Sequence, residues 1–185
     1  MLDEAQTKTM TLEAFADTIV PGEKRSPDDR AIAGVSEGGG AVAAGALEVL
    51  SMPATGVADA LGYLAQTLNT HAQTYAAERD LTLDEDVPPF VALSYEHRAG
   101  LVHVLTTPGH PEKDGWVLLA LFSNMAYDAA PHMHTVDALA AGHPGLTAMG
   151  FSMPDADGLW RNPEYSYGRE LASLHPATTA SGSPE

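Results

Sequence analysis

The chain has 185 residues, with 25 Asp and Glu against nine Lys and Arg and a net charge of −16 at pH 7, so it repels nucleic-acid phosphates and anionic membranes and favours basic partner surfaces. Without cysteine it can form no disulfide, thiolate nucleophile or thiolate metal site. Its 44% hydrophobic content suits one domain with a substantial core, and no apolar run approaches the roughly 18 residues of a membrane span.

Residues 1–10, MLDEAQTKTM, are polar and read as a flexible lead; lacking the basic and apolar regions of an export signal and a twin-arginine pair, they imply a cytoplasmic location. In TLEAFADTIVPG, residues Leu12, Phe15, Ala16, Ile19 and Val20 share one face of a helix with Thr11 as N-cap, stopped by Pro21 and Gly22. The charged segment 21–34 reads as a surface loop. Glycines 38–40 then form a hinge ahead of a helix over 41–50, with Val42, Ala46, Val49 and Leu50 inward. A longer helix over 57–79 carries Val57, Leu61, Leu64, Leu68 and Tyr75 at helical spacing. After Pro88 and Pro89 comes a short helix over 89–93. Ser94 caps a helix through Leu105, with Leu101, Val102 and Leu105 buried. Asp114 caps the next, over 115–129, which carries Trp116, Leu119, Ala120 and Phe122, and Pro131 opens a short helix through Ala140.

From 141 onward the helical period disappears, while Phe151, Trp160, Tyr165 and Tyr167 persist among prolines and glycines. That mixture predicts an ordered irregular wrap over 142–175 and a disordered tail over 176–185. The predicted fold is thus all-α, a compact helical bundle of about five to six helices over 11–141 closed by an aromatic C-terminal wrap.

Chemical motifs are sparse. The histidines cluster best in PHMH, where His132 and His134 could act as acid–base or metal groups with Tyr167 or His143 nearby. On a helix, however, residues i and i+2 point about 200° apart, so the plainer reading makes these histidines caps or local hydrogen-bonding groups. The acidic groups Asp28 and Asp29, Asp84 to Asp86, and Asp155 with Asp157 sit in turn-like contexts and read as solvated charges or caps. The glycine run SEGGGA lacks the lysine of a phosphate loop and a preceding strand, so close backbone packing explains it better than an anion. Trp160, Arg161, Tyr165, Tyr167 and Arg169 combine rigid aromatics with planar cations and are the candidate partner-binding surface. No residue spacing marks a catalytic triad or a cofactor site.

The string LEAFADTIVPGEKRSPDDRAIAGV resembles the opening of the gluconate 2-dehydrogenase subunit 3 family, with Asp17, Ile19, Val20 and Pro21 matching its "A-D-x-I-[IV]-P" phrase. His97 and Arg98 through Leu105 fit a later "R…L…L" helix, and 150–168 an aromatic, glycine-containing close; the chain also resembles the actinobacterial variant of such domains, a group without an agreed role. The resemblance implies a small α-helical subunit with no cofactor of its own. Such a subunit accompanies a large flavin-dependent dehydrogenase of the glucose–methanol–choline class, whose FAD lies in the large subunit. Family members often export that partner through a twin-arginine signal, which is missing here, so the implied role is assembly or stabilisation. The alternative from the residues is a stand-alone enzyme or small-molecule-binding protein, with a pocket between helices and tail that contains His132 and His134.

Overall fold

Helix α1 (Glu4–Ile19) begins well before its apolar stripe. In the structure, a computed structural model that describes residues 2–156, the expected flexible lead is therefore its first turns. Asp3 accepts from the Gln6 backbone N–H at 2.7 Å, and the Gln6 side chain accepts from the Asp3 N–H at 3.1 Å. This reciprocal cap satisfies two of the helix's orphan donors. The segment reads as polar because that end of the helix is solvated. Thr11, expected as the cap, is fully buried mid-helix and donates its hydroxyl to the Thr7 carbonyl at 2.7 Å.

The described residues are otherwise α2 (Ala46–Leu50), α3 (Leu61–Ala77), α4 (Pro89–Ala92), α5 (Tyr95–Thr106), α6 (Lys113–Ala129), α7 (Thr135–Ala140) and α8 (Pro144–Ala148), with 3-10 turns at Pro53–Thr55 and Ala58–Ala60 and no strand among them. The fold is all-α, and among these residues no helix is long and apolar enough to cross a membrane. The helical unit runs through Phe151; the second unit starts at Ser152, and its described residues, 152–156, hold no regular helix. The aromatic wrap expected beyond 156 lies outside the described residues.

Helix α1 packs against each of α2 to α6. Its Phe15 sits 6.4 Å from the Phe90 ring and 6.3 Å from that of Trp116, all three buried. Each such side chain is worth roughly 2–3 kcal/mol of burial. A buried polar relay ties three helices beside them. The Asn69 amide donates to Thr11 Oγ1 at 2.9 Å, and its oxygen accepts from the Phe90 N–H at 3.0 Å. A mid-helix Asn carries no sequence signal of this kind, because its value lies in two distant partners.

Several expected elements differ: Asp114, expected as a cap, lies inside α6, which Glu112 precedes, and the helix expected over 57–79 is α-helical only from Leu61, after a 3-10 turn. The helix over 41–50 is α-helical only from Ala46, since Gly45 adopts a left-handed φ of 86°. The helix expected from Pro131 starts at Thr135, after a turn. Past 141, where no helix was expected, α8 forms with Pro144 in its first turn; a five-residue helix is too short to show a period. The glycine run is backbone packing. Gly38 accepts from the Glu23 N–H at 2.8 Å and Ala41 donates to Val20 at 2.9 Å. A Cβ on Gly40 would stand 2.4 Å from the Val20 carbonyl oxygen, so no other residue fits there.

Candidate functional site

The motif that carries the sequence resemblance forms a buried polar anchor. Asp17, 1% exposed on the last turns of α1, reaches past the Pro21 stop. Its two carboxylate oxygens accept from the Gly22 N–H at 3.1 Å and the Ala33 N–H at 2.8 Å. Burial raises its pKa, and the two backbone donors and the nearby Arg98 charge offset that only in part. Arg98 on α5, 3% exposed, grips the other end of the loop. Its guanidinium donates to the carbonyls of Ala31 (2.7 Å), Arg30 (3.2 Å), Val91 (2.6 Å) and Leu93 (3.1 Å). Burial lowers its pKa against the pull of Asp17, yet an arginine stays charged.

On the loop's outer side Arg25 makes a two-pronged pair with Glu13 on α1, at 2.6 and 2.7 Å, and meets Asp29 at 2.7 Å. These charged hydrogen bonds raise the Arg25 pKa. The Asp29 carboxylate also accepts from the Ala31 and Ile32 N–H groups, at 3.2 Å each, as a turn-forming cap. Segment 22–33 is therefore fastened, and its charges do structural work.

Of the candidate histidines, the structure brings His132 and His143 together and leaves His134 exposed. His143 caps α8: its Nδ1 accepts from the Leu146 N–H at 3.3 Å, and its Nε2 lies 3.1 Å from the Ala44 carbonyl. Both ring nitrogens are thereby used, with the proton on Nε2. The His132 ring lies 6.4 Å from that of His143, and its buried Nδ1 has no hydrogen-bond partner. Burial lowers the His132 pKa, opposed by Glu48 and aided by His143. His134 is exposed at the start of α7. Among the described residues no group of three or more His, Asp or Glu is placed to hold a metal ion.

Gly45 accounts for the seat of His132: a Cβ there would lie 2.3 Å from Nε2. Gly45→Ala is expected to lower stability by about 2 kcal/mol, from left-handed strain plus the clash. Adding His132→Ala should restore the steric part. Urea unfolding of the two single variants and the double variant measures this, and additive losses would mean that the ring does not rest on Gly45.

A further cluster was not legible in the sequence, where Glu112 read as part of a connection. The Glu112 carboxylate lies 2.6 Å from His71 Nε2 on α3 and accepts from the Trp116 indole N–H at 3.3 Å. Its own N–H donates to His110 Nδ1 at 3.2 Å. His71 is the main cause of the lowered Glu112 pKa. The pair clamps α3 to the head of α6.

Helix α6 also presents a partly exposed apolar stripe. Val117 and Leu118 are each 38% exposed and Leu121 is 48% exposed. Their spacing of three and four residues makes them neighbours on the helix surface. Val104, on the adjoining α5, is 48% exposed. The partner-surface candidates Trp160, Arg161, Tyr165, Tyr167 and Arg169 lie outside the described residues, as does Tyr167 in its acid–base role.

Residues 6–185, nearly the whole chain, match the model of DUF5987, described as a family of unknown function. No curated protein and no solved structure matches the chain.

Proposed function

We infer the role of this chain from its surfaces and its sequence resemblance, because the family to which it belongs, DUF5987, is one of unknown function. The role proposed is that of a cytoplasmic, non-catalytic accessory subunit that binds and stabilises a flavin-dependent oxidoreductase of the glucose–methanol–choline class. FAD would be bound by that partner and not by this chain.

The observation that carries the binding reading is the stripe of Val117, Leu118 and Leu121 on α6. Single exposed apolar residues are ordinary, but neighbours on one helix face mark a contact surface. Covering each of these half-exposed side chains would contribute roughly 1 kcal/mol. A partner that binds this way is stabilised by mass action, with no chemistry at the interface. The resemblance at Asp17 to Pro21 supplies the class of partner. The small-molecule reading has less support, since His143 is spent as a cap and His134 is exposed at the head of α7.

Purifying the tagged full-length chain from its native cells is expected to bring down a second protein with the visible absorbance of flavin. Leu118→Ser with Leu121→Ser is expected to release it while leaving the chain's own melting temperature unchanged. Alanine at Trp160 and Tyr165 should weaken the same complex. Elution of the chain alone and colourless, or turnover of a small substrate by the isolated chain, would end this reading.

A further inference from the structure

We propose that the groove between the start of α1 and the α3–α4 connection docks a basic, Lys- or Arg-bearing segment of a partner protein. This adds a second face to the partner-binding role and rests on that role. The groove has a volume of about 550 Å³ and is bounded by Leu2 and Thr7 on one side and by Glu85, Asp86, Val87 and Pro88 on the other. A second groove of about 610 Å³ is also lined by Glu85, Val87 and Pro89.

Two properties of this surface select the occupant. The lining mixes apolar and polar groups, with Pro88 buried and Val87 and Pro89 half-buried beside Leu2 and Thr7. The rim is acidic. Asp84 is matched by Arg30 at 2.6 Å, but the exposed Glu85 and Asp86 side chains have no cationic partner among the described residues. Lys and Arg carry aliphatic stems beneath a cationic head, so one side chain meets both the apolar lining residues and the carboxylates. Carboxylates placed next to one another repel in the free protein, and a bound cation relieves that repulsion. A second copy of this chain is the wrong occupant, since each copy carries a charge of −16.

The test is a fluorescence titration of the full-length protein with a short labelled Lys/Leu peptide, and with its Glu/Leu counterpart as control. Any protein this acidic attracts cations weakly, so the comparison is between equal charge changes at different places. Glu85→Lys with Asp86→Lys is expected to weaken Lys-peptide binding about tenfold or more. Glu37→Lys with Glu96→Lys, also exposed, is expected to change it less than about twofold, because screening confines distant charges. Equal weakening by both pairs would overturn the proposal in favour of diffuse attraction, as would equal binding of the Glu/Leu peptide. A dimer in sedimentation that Glu85→Lys with Asp86→Lys disperses would overturn it in favour of a second copy. Because this assay uses no flavoprotein, its outcome is separate from that of the purification above.

Discussion

Arg98→Ala is expected to be the most damaging single substitution in the helical unit, lowering the unfolding free energy by about 4 kcal/mol. The side chain is 3% exposed, and its donors serve four carbonyls from two separate stretches, residues 30–31 and 91–93. Removing it leaves those acceptors without their charged donor and unfastens the 22–33 loop from α4 and α5. Arg98→Lys keeps the charge but has one ammonium on a flexible stem, which cannot span carbonyls on several sides; a loss of about 2–3 kcal/mol is expected. The check is urea unfolding with a shared slope, so that the midpoint reports stability alone. A midpoint for Arg98→Ala within experimental error of the parent would show that water replaces the guanidinium without cost.

Much of this architecture is legible in the chain, and the exceptions have physical causes. The helix after Ser94 is readable because cap and stripe agree: Ser94 accepts from the His97 N–H, and Leu101, Val102 and Leu105 are buried. The start of α1 is hidden because periodicity registers only the buried half of a helix; the D-x-x-Q spacing of Asp3 and Gln6 was the available signal. Arg98 hides for a different reason. Its partners are backbone carbonyls, which every residue has, so no side-chain pattern announces them. The α6 stripe is obscured by richness: in WVLLALF, apolar residues cover several faces. Packing alone decides that Trp116 and Leu119 turn inward while Val117, Leu118 and Leu121 are partly exposed. The histidines look concentrated in sequence but serve different places, His143 as a helix cap and His71 in a clamp with Glu112 between helices.

Asp17 gives the second large effect, and its pH dependence separates it from an ordinary packing residue. Asp17→Asn is nearly isosteric, yet the site presents two N–H donors, from Gly22 and Ala33. The Asn oxygen accepts from one, and its amide confronts the other donor with a donor. A loss of about 2 kcal/mol near neutral pH is expected, and about 3 kcal/mol for Asp17→Ala, which leaves both N–H groups unmatched. Burial, the largest cause, raises the folded pKa above the ordinary aspartate value. Between the unfolded pKa near 3.9 and that higher folded value the native state holds more protons than the unfolded state, so stability falls as pH rises through this window. Asp17 therefore contributes most at and below about pH 3.9 and less above its folded pKa. The deficit of Asp17→Asn relative to the parent should accordingly widen on acidification, measured as the gap between the two unfolding midpoints at several pH values. A gap that closes toward acid would mean that the folded site favours the carboxylate, with the two N–H groups and the Arg98 charge outweighing burial. The Asp of the "A-D-x-I-V-P" phrase is on this account a fastening for the loop after α1. The phrase that suggests a family likeness thus encodes the fold.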